Sequence, residues 1–390
     1  MYTSDLPFSL YLHIPFCKIK CSYCAFNTYI NLDDLVEPFI QALIQEIEIV
    51  AASRPKHPVW TVYLGGGTPS LLSPEQIDRV LQSIRTGFDL DPNAEISMEA
   101  NPSDLSCDYM ADVCAAGINR VSIGMQSANF NELELFARRH DNDAVVRAVS
   151  AARGGGVKNL NLDLIYGAPH QTLKSWENSL DQLIALRPDH ISLYALSLEE
   201  GTAMRNWVMK GRLPEPDDDL AADMYELASE QLEAAGYEQY EISNWSKKGY
   251  ACRHNLQYWR NWPYPGFGPG AHGYADGVRY STVLSPQRYI KLMREAGADY
   301  VFPRTPATEQ AEFVDRETEI AETLLMGLRL TQEGIPRTAF AERFGVDLVE
   351  IRESLVSRFV HNGLLEVDSN SVRLTRRGRL LSNSIFRELV

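Results

Sequence analysis

To about residue 235, short apolar runs alternate with stretches whose apolar residues return every third or fourth position. The runs Phe8–Ile14, Trp60–Leu64, Glu95–Glu99, Arg120–Gly124, Asn159–Ile165 and Ile191–Ala195 have the length and branched-residue content of buried strands. Between them DDLVEPFIQALIQEIEIVAA, SPEQIDRVLQSIRTG, SDLSCDYMADVCAAG and TLKSWENSLDQLIAL carry the helical period. In the second of these, Ser73 stands at the N-cap and Pro74 at the first helical position, both favourable where backbone N–H groups lack partners. Six strand–helix units in series predict a parallel sheet, because parallel neighbours need a crossover connection. The alternation stops near six, so the pattern predicts an α/β fold, a curved partial (β/α)6 barrel with its site at the C-terminal ends of the strands.

From Tyr237 to about Pro303 the rhythm breaks. Three of the six tryptophans, Trp245, Trp259 and Trp262, gather around CRHNLQYWRNWPYPGFGPGAHGY, which reads as an irregular covering layer. Beyond residue 312, DRETEIAETLLMGLRL, PRTAFAERFG and DLVEIRESLVSRFVHNG are helical in pattern. They precede a hairpin-like pair, LLEVD and SVRLT, around Ser369–Asn370, and a last helix RRGRLLSNSIFREL. Three helices and a two-stranded wing predict a winged-helix-like α+β domain. The expected division is residues 1–236, 237–311 and 312–390.

Charge narrows the partners. A formal net charge of −15 opposes approach to a phosphate backbone, so nucleic acid is disfavoured, and the basic knot RLTRRGR reads as a solvated turn or a protein-docking edge. The acidic stretch Glu215–Asp219 precedes a helical pattern, where carboxylates suit a helix start. The chain has no run of 18 apolar residues, and MYTSDLPFSL lacks the marks of a signal peptide, so a cytoplasmic protein is expected.

Three of the six cysteines, Cys17, Cys21 and Cys24, fall within eight positions directly after the first strand. In a reducing compartment such clustering points to metal or cluster ligation, while Cys107, Cys114 and Cys252 read as scattered buried thiols. A structural zinc ion takes four protein ligands, and the only near fourth candidate is His13. Three thiolates suit a [4Fe–4S] cluster with one iron left open. Elsewhere the glycines of YLGGGTPS let backbone amides approach a ligand closely, and Glu99 ends a strand where a carboxylate could meet a cationic amine. Asp163 lies inside the apolar run LNLDLIYG, a costly place for a carboxylate without a partner.

The stretch YLHIPFCKIKCSYC resembles the signature of the radical S-adenosylmethionine (SAM) superfamily. With HIPFC, GGGTPS and HNLQYW in order, the chain is most similar to the group containing the oxygen-independent coproporphyrinogen III oxidase and the HemW-type haem chaperones. The resemblance implies a cluster on Cys17, Cys21 and Cys24 whose open iron binds the amino and carboxylate groups of SAM and passes it an electron. It implies that Gly66, Gly67 and Thr68 hold the amino-acid end of SAM, with Glu99 beside the amine and Arg138 on the carboxylate. Gln126 and Asp163 then serve the ribose and nearby polar groups, and Tyr11 and Tyr23 the sulfonium or adenine end.

The oxidase carries a further cysteine two residues after the third ligand, where this chain has Phe26, and a long extension ahead of its first strand, where this chain reaches Tyr11 after ten residues. Both departures point to the chaperone branch. His254, with Tyr258, Trp259, Trp262 and Tyr264, offers an imidazole among flat apolar rings, expected as a haem-facing patch with His254 as axial ligand and Cys252 and His272 as second candidates. The expected function is binding of a [4Fe–4S] cluster, SAM and haem, and delivery of haem to acceptor proteins. The rivals are decarboxylation of coproporphyrinogen III and SAM cleavage on another porphyrin-like substrate. The sequence leaves open whether SAM is cleaved in function, and likewise peripheral membrane association and a homodimer.

Overall fold

Residues 6–297 and 300–389 are described by the computed structural model. Strands β1 (Phe8–Ile14), β2 (Pro58–Gly66), β3 (Asp89–Ala100), β4 (Arg120–Gln126), β5 (Asn159–Tyr166) and β6 (His190–Ala195) are successive parallel neighbours, and each contains one predicted strand. The crossovers are α1 (Val36–Ser53), α2 (Pro74–Gly87), α3 (Cys107–Ala116), α4 (Phe130–Leu135), α5 (Asn142–Gly154) and α6 (Leu173–Ala185). In α1 the residues Phe39, Ile40, Leu43, Ile47 and Val50 are buried, the three-and-four spacing that lays one helix face on the sheet. Helix α2 starts where expected: Ser73 accepts from the Gln76 amide while the Gln76 side chain accepts from the Ser73 amide. The pattern SDLSCDYMADVCAAG starts later than its first serine suggests, with Ser106 as the cap of α3 and Ser103 in a single 3-10 turn before it.

The segment after β6 is more ordered than its sequence suggests. It runs through α7 (Ala203–Met209), α8 (Asp218–Ala234), β7 (Glu238–Glu241), β8 (Asn244–Ser246), α9 (Arg253–Trp259) and β9 (Gly266–Phe267). The β7–β8 hairpin adds antiparallel strands beyond β6, and β9 pairs in parallel with β1 at the other edge. The sheet therefore has nine strands in the order β7-β8-β6-β5-β4-β3-β2-β1-β9, and its ends do not join. The expectation of a wholly irregular covering layer is thus corrected. Strands of two to four residues show no period of their own; they form because the open edges of the sheet supply hydrogen-bond partners. A small antiparallel sheet of β10 (His272–Ala275), β11 (Val278–Thr282) and β12 (Thr308–Phe313), with α10 (Pro286–Arg294), completes this part.

The C-terminal part contains α11 (Arg316–Gly327), β13 (Ile335–Pro336), α12 (Arg337–Phe344), α13 (Leu348–Ile351), α14 (Glu353–His361), β14 (Leu365–Val367), β15 (Ser371–Leu374), α15 (Arg376–Leu380) and α16 (Ser382–Leu389). Its wing has three strands, since β13 joins the expected β14–β15 hairpin. Ile320, Leu324, Phe340, Phe359 and Ile385 form a separate core, against which Ile242 of the β7–β8 turn packs. Arg343 bonds the carbonyls of Arg260 and Asn261 and pairs with Glu319, tying α12 to the end of α9. Among the described residues no helix is long and apolar enough to cross a membrane.

Candidate functional site

The loop after β1 is pinned at both ends. Cys17 donates its amide to the Tyr29 carbonyl at 2.9 Å, and Tyr29 donates to Pro15 at 2.7 Å. Further along, Ser22 Oγ donates to the Leu135 carbonyl at 2.6 Å, and Lys20 Nζ reaches the Phe26 carbonyl and Thr28 Oγ1. This holds Cys17, Cys21 and Cys24 over the C-terminal ends of the parallel strands, on the wall of a cavity of about 590 Å³. Of the other residues expected at the site, Tyr23, Gly66, Gly67, Thr68, Glu99, Gln126, Arg138 and Asp163 line the same cavity.

Each strand end contributes through local geometry. A Cβ at Gly67 would lie 2.6 Å from the Phe16 carbonyl oxygen, and Gly66, at φ +105°, has the His13 ring 2.5 Å from where a Cβ would stand. Only glycine lets β2 cross under the cysteine loop this closely. Thr68 Oγ1 donates to Cys17 Sγ at 3.4 Å; burial pushes that thiol's pKa up, and this hydrogen bond opposes the shift. Glu99 accepts from the Tyr63 hydroxyl at 3.0 Å and the Gly66 amide at 3.1 Å. Burial, then the charge of Asp163, push its pKa to about 7 against those two hydrogen bonds. Asp163 has the partners its position demands, Ser122 Oγ at 2.9 Å and Asn161 Nδ2 at 2.6 Å, and burial raises its pKa too. Arg138 donates to the Gly124 carbonyl at 3.0 Å and to Cys21 Sγ at 3.5 Å, while its Nε is buried with no hydrogen-bond partner. Gln126 follows a break in the β4–β5 register at φ 66°, a strained backbone for a non-glycine residue at a cavity wall.

Two of the expected residues stand behind the wall. Tyr11 does not line the cavity; its hydroxyl bonds His13 Nδ1 at 3.0 Å, and His13 Nε2 bonds the Asn27 carbonyl at 2.9 Å. Because that carbonyl only accepts, Nε2 carries the proton and Nδ1 accepts from Tyr11. Both His13 nitrogens are therefore engaged, and the nearest candidate for a fourth ligand is occupied. His254, 1% exposed, lies in α9 with Nδ1 2.7 Å from Thr61 Oγ1 and Nε2 2.8 Å from the Tyr258 hydroxyl, its ring stacked on Tyr63. Burial and then Arg120 lower its pKa to about 3, so the ring is neutral and neither nitrogen faces open space. Its neighbour Asn255 reaches the cavity.

The isolated thiols differ from expectation. Cys252 is buried, but Cys114 is half-buried and Cys107 exposed, since it occupies the first turn of α3 ahead of the buried Met110 and Val113. Several cavity residues were not singled out from the sequence, among them Arg120, Ser122, Asn161 and Asn255. A signal existed for the first two. Arg120, Ser122, Gly124 and Gln126 alternate along β4 and so share one face.

The donor set fits the cofactors implied by the cysteine pattern. Among the described residues no three His, Cys, Asp or Glu side chains converge to hold a single metal ion. A cubane presents separate corner irons, so its thiolates need not converge. Glu99 offers a carboxylate to an ammonium group, and the buried Arg138 offers a guanidinium with an unpartnered nitrogen to a carboxylate.

Comparison with known proteins agrees. The Radical SAM superfamily model matches residues 11–183, and the HemN C-terminal domain model matches residues 314–381. The chain is 38% identical over 381 residues to the heme chaperone HemW of Bacillus subtilis, covering 97% of this chain and 98% of that one. It is 40% identical over 389 residues to HemW of Mycobacterium tuberculosis, covering 98% and 95%. The chain belongs to the HemW family of the radical SAM superfamily. HemW of Escherichia coli is 35% identical over 97% of both chains. The solved structure of coproporphyrinogen III oxidase (HemN) from Escherichia coli superposes with a TM-score of 0.83, covering 98% of this chain and 90% of that one, at 24% identity, a likeness of fold. Superfamily membership implies a [4Fe–4S] cluster and SAM.

Proposed function

We propose that this protein is a haem chaperone that holds a [4Fe–4S] cluster on Cys17, Cys21 and Cys24, SAM in the adjoining cavity, and haem for delivery to acceptor proteins. The observation that carries the reading is its end-to-end similarity to proteins named heme chaperone HemW, at 38% and 40% identity. The geometry supports it at Phe26, which is 66% exposed beside the cysteine loop and presents an apolar ring where the oxidase pattern has a thiol.

When bound, the cluster supplies an electron to the sulfonium of SAM. The chain's own residues bind and orient. Glu99 takes the ammonium group, giving up the proton that burial lets it keep near neutral pH, and Arg138 takes the carboxylate. Gln126 and Asp163 face the ribose, Tyr23 closes over the sulfonium or adenine end, and Tyr11 fixes His13 from behind. His254 enters as a residue backing the wall through Tyr63, so His254→Ala is expected to keep the Soret maximum of the haem complex. A shifted or bleached Soret band would instead make it an iron ligand.

The test is a haem titration followed by absorbance, beside a turnover assay with coproporphyrinogen III, reductant and SAM, on anaerobically reconstituted protein. Stoichiometric haem binding with no vinyl product is expected. Vinyl product without specific haem binding would overturn the chaperone reading in favour of the oxidase.

A further inference from the structure

The cavity holds a buried guanidinium that makes no ion pair with the described residues. Arg120 opens β4, is 2% exposed, and lines the cavity. It has no carboxylate within ion-pair distance among the described residues, and its Nε is buried without a hydrogen-bond partner. Three carboxylates act on it from beyond ion-pair distance: Glu99, Asp163 and Glu95, the last occupied by the backbone amides of Arg253 and His254, both at 3.1 Å. The cavity-facing polar groups above it are also engaged, Ser122 with Asp163 and Asn161 with both Ser122 and Asp163. A guanidinium withdrawn from water is costly unless an anion meets it, and its planar fork suits a carboxylate.

That anion is distinct from the one assigned to Arg138. Arg138 is held at the Gly124 carbonyl, four residues further along β4. At the rise of a strand this is about 13 Å of backbone, so Arg120 is rooted deeper in the cavity than the point where Arg138 is held. We propose that Arg120 is the seat of a second carboxylate at the cavity floor, supplied by a propionate arm of the tetrapyrrole. This rests on the haem reading above and adds to it a residue that recognises the acid side chain rather than the iron.

The experiment compares unmodified protein with R120Q and R120K, titrating each with haem, with haem dimethyl ester and with SAM, while circular dichroism and a thermal melt monitor folding. Esterification is expected to weaken binding to the unmodified protein by about tenfold or more, the size of a charge-assisted hydrogen bond. R120Q should bind acid and ester alike, at the ester's affinity, with SAM affinity unchanged. R120K, which keeps the charge but loses the fork, should fall between, and it carries the test if R120Q does not fold. Discrimination retained in both variants would overturn the proposal, as would a loss confined to SAM, which would assign Arg120 to the amino-acid carboxylate. Failure of the unmodified protein to bind haem at all would overturn the haem reading itself, and this inference with it.

Discussion

At the scale of single residues, Glu99 joins position to electrostatics. Its carboxylate ends β3 under the cysteine loop, and its folded pKa of about 7 lies above the ordinary 4.5. The folded, ligand-free protein therefore binds a proton more readily than the unfolded chain. The stability this contributes is fully present below about pH 4.5 and is lost as pH rises through about 7, an effect of about 3 kcal/mol. Urea melts across that window should show the decline, and Glu99→Gln should flatten it by that amount. Glu241, also raised to about 7, titrates in both proteins, so the difference between them reports Glu99 together with its coupling to Asp163. The same residue predicts that SAM affinity rises with pH through about 7 in the unmodified protein but not in the Gln variant; an identical pH profile in both would remove Glu99 from the ammonium site. The thiols give a second prediction. Ala at Cys17, Cys21 or Cys24 should abolish the iron and sulfide taken up on reconstitution, whereas Ala at Cys107 or Cys114 should leave about four iron per chain. Tightly held zinc in the unmodified protein would contradict the cluster.

Among the elements, α9 is held at its start by a residue of a strand. Its N-cap, Cys252, makes no side-chain capping bond. The first amides are instead met by Glu95 from β3, which accepts from Arg253 and His254 and, at 3.4 Å, from Cys252 Sγ. A carboxylate at a helix N-terminus also faces the positive end of its dipole. Removing it strands the buried His254 N–H and the partly exposed Arg253 N–H, so Glu95→Ala should cost about 2 kcal/mol and speed amide exchange over residues 253–257 ahead of the flanking strands. Exchange that rises uniformly along the chain would mean Glu95 supports the sheet as a whole. Ser73→Ala removes an ordinary capping box and should cost about 1 kcal/mol with no effect on SAM binding, which makes it the control for a purely local loss.

Across the whole molecule, two hydrophobic cores meet at a polar joint. Arg343 joins α12 to the carbonyls after α9, Arg260 pairs with Glu333, and the Ile242 amide donates to the Arg329 carbonyl. The helix bearing His254 is thereby clamped between the parallel sheet and the C-terminal core. Arg343→Ala is expected to lower the stability of residues 320–389 by about 2 kcal/mol and leave the exchange of β1–β6 unchanged. Equal loosening of both regions would show that they unfold as one cooperative unit.

Local features were legible without the fold. Cys17, Cys21 and Cys24 lie within eight residues, so one loop brings them together whatever surrounds it. The six parallel strands, the Ser73 cap and the family signature are equally short-range, because period, cap chemistry and spacing are written within a turn or a strand. Tertiary structure alone decided the rest. A parallel strand is buried on both faces, so the alternation along β4 could put Arg120 and Ser122 on the face of Gln126 but could not show that this face carries the cavity or that Arg120 makes no ion pair with the described residues there. The nitrogens of His254 are engaged in part by Thr61, 193 residues away, and no local pattern reports a partner that distant. Likewise β9 has only two residues and exists because β1 offers it an open edge. The chain's own order thus determined which chemistry is present, and long-range packing determined which of those groups face the cavity and which hold its wall.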